Sequence, residues 1–534
     1  MLNKIKYLAL AVFLFLMCSY ATTAQETDIQ SAANKLSRGL SIIDYFYVEE
    51  VDKDELVEIA FKEMLKDLDP HSVYMNADEV KEANEPLEGK FDGIGVQFQI
   101  FNDTILVVSP ITGGPSEKLG ILAGDKIITI EGEEAFGPKI TNDWVRKHLR
   151  GDKGTKVNVE IYRKGHKGLL EYTIVRDKIP IYSVDASYMA TPEVGYIKIN
   201  RFSRSTMSEY LEAMGKLQSQ GMQNMILDLR NNGGGYLDVA ISLADEFLKA
   251  GELIVYTEGR RSPRRDAVSS SAGHFEKGKL IVLINEGSAS ASEIVSGAVQ
   301  DWDRALIVGR RSFGKGLVQR PFWLPDSSQM RLTIARYYTP TGRCIQKPYD
   351  DGSEAYFKDL SDRMKHGELM HPDSIQFPDS LVYKTPAGRT VYGGGGIMPD
   401  VFVAYDSTKY SDYYMNLWRK GVQNTFITNY MEKNRESLSQ KYPSFTTFNQ
   451  NFSVDPSLMN EFVEYAVTEG VEKDEKGLQQ SEEIIKSQIK ALVARNLFDI
   501  SAYFQIINEV SDEFNTALKL MNEDNVFQSQ NLKY

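Results

Sequence analysis

Continuous apolar runs that end in small-residue loops constrain this chain more than any other feature. Residues 280–284 read LIVLI and lead into serines and alanines, while residues 306–308 read LIV and lead into glycines and arginines. Such runs are typical of strands buried on both faces of a parallel sheet. From about residue 194 to 403 they alternate with helical patterns, which predicts an α/β core. Ligands of such sheets gather where strands end, so these loops are candidate functional positions.

The pattern changes several times along the 534 residues, a length greater than one hydrophobic core accommodates. Residues 25–88 carry a helical pattern, and residues 89–180 carry short alternating strands and glycine turns. The α/β pattern occupies residues 181–406, and residues 407–534 are helical again. We therefore predict an α/β multidomain protein with helical regions at both ends.

Composition and charge narrow the function classes. With 42% hydrophobic and 25% charged residues, the chain has the make-up of a globular protein. Its net charge of −13 argues against a nucleic-acid partner, because nucleic-acid binding needs a basic surface. The arginine-rich run at residues 260–265 is a local exception. We interpret it as a solvated loop beside a groove in preference to a phosphate site.

The N-terminus has the features of an export signal. Lys4 and Lys6 precede an apolar stretch at residues 7–17, and a small-residue cleavage site follows. We predict that residues 1–24 are a signal peptide and that the protein is periplasmic. An uncleaved anchor or a lipid on Cys18 is the less favoured alternative, and either would keep the protein at a membrane.

Ser290 stands where the first apolar run gives way to a helical pattern. With Glu293 three positions on, it forms a capping box, so one interpretation is a helix cap. A helix N-terminus also directs backbone N–H groups and partial positive charge toward a developing oxyanion, so the other interpretation is a nucleophile. The local residues leave both open.

A nucleophilic serine requires a base, and no histidine is an evident one. The six histidines lie in no recognisable triad motif, and G-x-S-x-G is absent from the sequence. Lys315 is the candidate, although a free lysine has a pKa of about 10.4 and needs a value about three units lower, a difference of about 4 kcal/mol. Burial would supply this, and so would the charges of Arg310 and Arg311 if these side chains lie close to the lysine. Serine–lysine pairs are a known variant of the triad.

Two glycine-containing loops offer alternative chemistry. Residues 309–315 match the phosphate-binding pattern G-x-x-x-x-G-K, but Gly316 stands where a magnesium-binding Ser or Thr is needed. A nucleotide site is therefore disfavoured. The glycine loop, residues 231–235, follows the buried run at 225–229 and suits either an anion-binding nest or a tight turn.

Seven motifs, in the same order, resemble those of the carboxyl-terminal processing proteases, also called tail-specific proteases. The resemblance extends from about residue 47 to 403. The motifs are LDPHS at 68–72, GIGV at 93–96, PSEKLGILAGDKI at 115–127, DLRNNGGG at 228–235, SASASE at 288–293, SFGKG at 312–316 and GGGGIMPD at 393–400. Each motif alone is modest evidence, whereas their common order is specific.

The resemblance implies a serine endopeptidase that works through an acyl-enzyme, without a metal or another cofactor. By position, Ser290 would be the nucleophile, Lys315 the general base and Gln319 the residue that orients the lysine. The N–H groups of Gly234 and Ala291 would form the oxyanion hole.

One departure from the family pattern affects the glycine loop. The family often has proline where this chain has Gly233, so we expect a more mobile loop. For that reason the choice between Gly234 and Gly235 as oxyanion donor stays open. Glu293 is expected to cap the helix and not to donate a proton.

The resemblance also implies that residues 89–180 are a PDZ domain inserted before an α/β protease core. Such domains pair a strand with a peptide tail and capture its carboxylate on backbone N–H groups. The peptide-binding residues would be Gly93, Ile94, Gly95 and Val96. The implied partners are polypeptides with free C-termini. The rival hypothesis is a non-catalytic PDZ protein that only holds exported tails.

The helices after residue 407 lie outside the resemblance. A homo-oligomer formed through the terminal helices, or a cover over the substrate path, is a hypothesis for them.

Overall fold

The computed structural model describes residues 29–375 and 377–534. The predicted signal peptide, residues 1–24, lies outside them. Within the described ranges, no helix combines the length and the apolar character that a membrane span requires.

The N-terminal region is helical, and its residues 73–75 pair with residues 329–331 of the α/β core. Its elements are α1 (residues 29–46), α2 (Lys53–Lys66), β1 (Val73–Met75) and α3 (Ala77–Glu88). Asp52 caps α2 by accepting from the N–H groups of Asp54 and Glu55. Asn76 forms a capping box with Glu79 at the start of α3.

The next region is rich in strands. Its elements are β2 (Lys90–Gly93), β3 (Val96–Phe101), β4 (Thr104–Pro110), α4 (Pro115–Lys118), β5 (Lys126–Ile130), β6 (Glu133–Glu134), α5 (Asn142–Leu149), β7 (Lys156–Tyr162), β8 (Leu170–Val175) and β9 (Asp177–Pro180). Its sheet has the order β3-β4-β5-β7-β8, and Val145 and Leu149 of α5 pack into its core. Because β2 pairs with β9, the entry and exit of the domain lie side by side, as an insertion requires.

The α/β core alternates strands and helices as predicted. Its elements are β10 (Val184–Met189), β11 (Val194–Ile199), α6 (Thr206–Ser219), β12 (Asn224–Asp228), α7 (Leu237–Asp245), β13 (Leu253–Gly259), β14 (Ser262–Val268), β15 (Leu280–Ile284), α8 (Ala291–Asp301), β16 (Leu306–Gly309), β17 (Leu317–Trp323), β18 (Gln329–Tyr338), α9 (Gly352–Lys365), β19 (Val382–Lys384), β20 (Thr390–Tyr392) and β21 (Val401–Phe402).

The main sheet has the order β10-β11-β12-β15-β16-β21. All neighbours are parallel except β10 and β11. The carboxyl ends of β12, β15 and β16 therefore meet at one edge of the sheet. Three of the seven motifs, at residues 228–235, 288–293 and 312–316, follow these strand ends. A second sheet, β1-β18-β13-β14 with β17 on β18, contacts that edge.

The C-terminal region is helical. Its elements are α10 (Asp412–Arg419), α11 (Val422–Lys441), α12 (Phe445–Asn451), α13 (Pro456–Thr468), α14 (Glu475–Leu497), α15 (Ile500–Glu509), α16 (Asp512–Met521) and α17 (Asp524–Ser529). Helices α10 to α15 form a hydrophobic core of their own.

The last two helices belong to the packing of the main sheet. One face of the sheet packs against α6, α7 and α8. On the other face, Ile226, Ile281 and Val308 pack in one cluster with Phe514 of α16 and Phe527 of α17. The parallel strands are thus buried on both faces, which explains their continuous apolar runs.

Candidate active site

Ser290 occupies a sharp turn between β15 and α8. Its backbone has φ 55° and ψ −112°, and a conformation of this kind costs a non-glycine residue about 1–3 kcal/mol. Its N–H donates to Oε2 of Glu293 at 2.8 Å, so helix capping and the strained turn occur at the same position. A strained strand-to-helix turn is also how nucleophile elbows expose a serine at a sheet edge.

Glu293 joins the serine turn to the loop that carries the lysine, and its side chain is fully buried. Oε2 accepts from the N–H groups of Ser290 and Lys315 at 2.8 and 2.9 Å. Oε1 accepts from the N–H of Gly314 at 2.7 Å and from the hydroxyl of Ser312 at 2.5 Å. Burial raises the pKa of Glu293 to about 7, and the four donors oppose that rise. The link to the lysine loop was missed by sequence reasoning, which identified only the helix cap.

The surroundings of Lys315 lower the pKa of its ammonium. Burial has the largest effect and the guanidinium of Arg331 lowers the pKa further, although the charges of Glu293 and Asp69 oppose this. Nζ donates to Oε1 of Gln319 at 3.2 Å, which places the predicted orienting residue against the predicted base. Arg310 and Arg311, which would have lowered this pKa if they lay close to the lysine, are not the cations that act on it. Both pair with glutamates instead, and Arg331 on β18 takes their place.

Gln319 is held in turn by the N-terminal region. Its Nε2 donates to the carbonyl of His71, from which it is separated by 248 positions in the sequence. Asp69 fixes that turn, since Oδ1 accepts from the N–H groups of His71 and Ser72 at 2.8 and 2.9 Å. The same oxygen accepts from the hydroxyl of Thr333 on β18 at 3.0 Å. The LDPHS motif therefore shapes the site from outside the core.

Two tyrosines near Lys315, Tyr337 and Tyr356, were also missed. The hydroxyl of Tyr337 donates to the carbonyl of Lys315 at 2.5 Å and lies 3.1 Å from the carbonyl of Ser290. Nε2 of His71 lies 2.9 Å from the hydroxyl of Tyr356. Burial, followed by the charge of Lys315, lowers the pKa of His71 to about 4, so this imidazole is neutral at pH 7. A strand tyrosine carries no local pattern that would have marked it.

The glycine loop lies directly against the serine turn. Gly234 has φ 102°, and a Cβ at that position would lie 2.8 Å from Cβ of Ser290, so only glycine fits. Its N–H donates to Oδ1 of Asn232 at 2.9 Å, and an oxyanion role requires that bond to open. Ala291 is buried at the start of α8, and within the described ranges its N–H has no hydrogen-bond partner. Gly235 pairs with a different loop, so Gly234 is the glycine nearer to the serine.

The phosphate-loop interpretation of residues 309–316 is excluded by the same contacts. The N–H groups of Gly314 and Lys315, which would have to face a phosphate, donate to the carboxylate of Glu293. A phosphate there would meet a carboxylate. Among the described residues, no group of three or more His, Cys, Asp or Glu side chains is placed to hold a metal ion.

A groove lies between β3 and α5 of the strand-rich domain. Its cavity of about 330 Å³ is mostly apolar, with Ile94, Gly95 and Val96 among its lining residues. The remaining lining residues are Phe91, Gln97, Phe98, Ile111, Val145, Arg146, Leu149 and Arg150. Gly93, the fourth predicted residue, pairs with Asp177 in the ribbon of β2 and β9 and does not line the groove.

Comparisons with known families match four segments of the chain. Residues 193–352 match Peptidase family S41, and residues 93–174 match the PDZ domain. Residues 17–79 match the activating protease CtpB N-terminal domain, and residues 413–499 match a family of unknown function. The chain is thus a PDZ-containing peptidase of the S41 class.

Curated relatives specify the family further. A carboxy-terminal-processing protease of Bartonella bacilliformis is 40% identical over 355 residues, which cover 65% of this chain and 81% of that protein. The carboxy-terminal processing protease CtpB of Bacillus subtilis is 34% identical, over 61% of this chain and 68% of that protein. A probable CtpA-like serine protease of Staphylococcus aureus is 36% identical, over 60% of this chain and 64% of that protein. This chain belongs to the carboxy-terminal processing protease family.

Among solved structures, the photosystem II D1 C-terminal processing protease shares 26% identity, with a TM-score of 0.37 and coverage of 68% of this chain and 86% of that one. The family, the fold class and the PDZ domain predicted from the motifs are confirmed. The roles of the individual site residues stay predictions.

Proposed function

We propose that the protein is an exported serine endopeptidase with a Ser290/Lys315 dyad. The observation that carries the proposal is the environment of the lysine, whose pKa is lowered and whose Nζ is bonded to Gln319. The loop that bears it is tied to the N–H of Ser290 through one carboxylate, that of Glu293. A base and a hydroxyl are thereby delivered to the same sheet edge.

The reaction follows from the roles of these groups. Neutral Nζ of Lys315 takes the proton from Oγ of Ser290 as that oxygen attacks the peptide carbonyl carbon. The N–H of Ala291, joined by that of Gly234 once its bond to Asn232 opens, would stabilise the oxyanion. Collapse breaks the C–N bond, and the leaving amine takes the proton from Lys315. Water then attacks the acyl-enzyme with Lys315 as base, which releases the acid and restores Ser290.

Two substitutions test this assignment. Ser290→Ala and Lys315→Ala should each abolish cleavage of an unfolded polypeptide, while peptide binding by the PDZ domain is unchanged. Cleavage at the wild-type rate in either variant would refute the dyad.

We further propose that substrates are selected by their free C-termini. The apolar groove between β3 and α5 suits an apolar last side chain, and strand addition along β3 would hold the tail. Peptides that differ only in a free or an amidated C-terminus test this, with cleavage read by mass spectrometry. Equal cleavage of both peptides would contradict it, and Ser290→Ala provides the background.

The location is a separate part of the proposal. The N-terminal charge and apolar pattern supports export to the periplasm, with at most transient proximity to a membrane. Fractionation of cells that express the full chain, together with N-terminal sequencing of the mature protein, tests this. Recovery of the protein with an intact N-terminus in the cytoplasm would contradict it.

A homo-oligomer formed through the terminal helices also belongs to the proposal. Helix α1 leaves large apolar side chains exposed, and these favour burial against another surface. They include Ile29, Leu36, Ile43 and Phe46. Sedimentation of the protein with and without residues 29–48 tests this, and a monomer in both forms would contradict it.

A further inference from the structure

Two arginines stand at the start of the two loops that frame the dyad. Arg230 follows β12 and precedes the glycine loop, and Arg310 follows β16 and precedes the lysine loop. Both reach one carboxylate, that of Glu513 in the first turn of α16. Oε2 of Glu513 lies 3.1 Å from Nη1 of Arg230, and Oε1 lies 2.6 Å from Nη1 of Arg310. A single side chain of the C-terminal region therefore bridges two loops of the protease core.

The bridge is shielded from water. The exposed fractions are 13% for the side chain of Arg230, 6% for that of Arg310 and 14% for that of Glu513. Although burial opposes it, the charges of Arg230 and Arg310 lower the pKa of Glu513, so the carboxylate is ionised at pH 7. Loss of one partner from such a buried cluster leaves a charge uncompensated, which makes it far more costly than loss of an exposed pair.

The cluster reaches the third loop as well. Nε of Arg310 donates to Glu286 at 2.8 Å, and Glu286 lies in the loop between β15 and Ser290. Nη2 of Arg230 donates to Asp228 at the end of β12 at 2.6 Å. The loops after β12, β15 and β16 are thus connected in one ionic cluster. Glu513 links the pair Arg230–Asp228 to the pair Arg310–Glu286.

We infer that Glu513 is a positioning residue for the peptidase reaction, which fixes the glycine loop relative to the lysine loop. Since Gly234 lies against Ser290, a shift of the glycine loop would change where the oxyanion donors stand relative to the nucleophile. The peptidase match ends at residue 352, and the match of the C-terminal region ends at residue 499. Helix α16 therefore contributes Glu513 to this cluster from a segment that lies outside both family matches. The inference rests on the proposed Ser290/Lys315 chemistry.

Glu513→Gln in the full-length protein tests the inference, because it removes the charge and keeps the shape. We expect kcat for a tail peptide to fall about tenfold, with KM within about twofold of wild type. The rate at which a fluorophosphonate probe labels Ser290 should fall in parallel, since that reaction needs the dyad and not the PDZ groove. Glu513→Asp keeps the charge on a shorter side chain and should lose less, about threefold.

Asp512→Asn is the matched control. Asp512 is the neighbouring acid on the same helix, and its carboxylate pairs with Lys409 at 2.6 Å and not with a loop of the core. Both kcat and the labelling rate should stay within about twofold of wild type. If Glu513→Gln does not fold, the kcat and labelling rate of Glu513→Asp are compared with those of Asp512→Asn, and that comparison tests the inference.

Three outcomes are distinguishable. Labelling and kcat that fall in the Glu513 variants but not in Asp512→Asn support the inference. Wild-type labelling in a folded Glu513 variant, even one with a lower melting temperature, overturns it, because Glu513 would then only stabilise the fold. Labelling that persists in Ser290→Ala overturns the proposed dyad, and with it this inference.

Discussion

Replacement of Glu293 by glutamine perturbs the centre of the site with almost no change of shape. The carboxylate accepts four hydrogen bonds, two at each oxygen. A glutamine side chain offers one acceptor oxygen and one NH2 group in their place. The variant therefore reports how much the structure depends on having an acceptor at both positions.

The magnitude follows from the donors. If the NH2 group replaces Oε2, it faces the N–H groups of Ser290 and Lys315; if the amide is flipped, it faces Ser312 and Gly314. Either way, two buried donors lose their acceptor, at about 1–3 kcal/mol each. We expect the free energy of unfolding around the site to fall by about 2–6 kcal/mol, and kcat to fall because the two loops separate.

The pH dependence of stability provides a second readout. The pKa of Glu293, about 7, is above its ordinary value, so the folded state binds this proton more tightly than the unfolded chain. The resulting stabilisation is fully present below the unfolded pKa and is lost as pH rises through about 7. Glu293→Gln should lack this part of the pH dependence.

Hydrogen exchange of the segment from β15 to α8 measures the local opening free energy in wild type and variant. Glu354→Gln is the control, because Glu354 is exposed and its carboxylate pairs with Lys358 on its own helix. Protection in Glu293→Gln equal to that of wild type, together with unchanged kcat, would refute the reasoning.

Three further predictions concern the surroundings of the dyad. Arg331→Gln should raise the pKa of Lys315 and move the acid limb of the pH–rate profile to higher pH. Arg320→Gln, at an exposed position of β17, should leave that limb in place. Coincident pH–rate profiles for wild type and both variants would contradict this. Gly234→Ala should lower kcat at least about hundredfold, which corresponds to a rise of about 2.7 kcal/mol in the activation free energy. The reason is that the added Cβ overlaps the serine turn. A wild-type kcat in this variant would show that the turn adapts. His71→Asn should make the melting temperature less sensitive to acid between pH 6.5 and about 4, because the unfolded chain binds the imidazole proton more tightly than the folded protein. An equal fall of the melting temperature over this pH range in wild type and variant would contradict this.

Much of the core was predictable because its strands are buried on both faces. A run such as that of β15 can satisfy its apolar side chains only inside a sheet covered on both sides, so the sequence indicates the strand and its end. The small residues after each run then mark the loops at the carboxyl edge. Parallel pairing brings these loops together, which is why Ser290 and Lys315 were predicted to lie at one edge of the sheet.

The sequence by itself determined the family, the buried strands and the loops at their carboxyl ends, because these depend on local pattern and motif order. Only the tertiary structure decided which cation lowers the pKa of Lys315, since Arg310 turns to Glu513 and Arg331 arrives from another sheet. It also decided that α16 and α17 cover one face of the main sheet and that Glu513 of α16 bridges its loops. The physical reason is that side-chain direction and contacts between distant segments are set by packing, which no local pattern records.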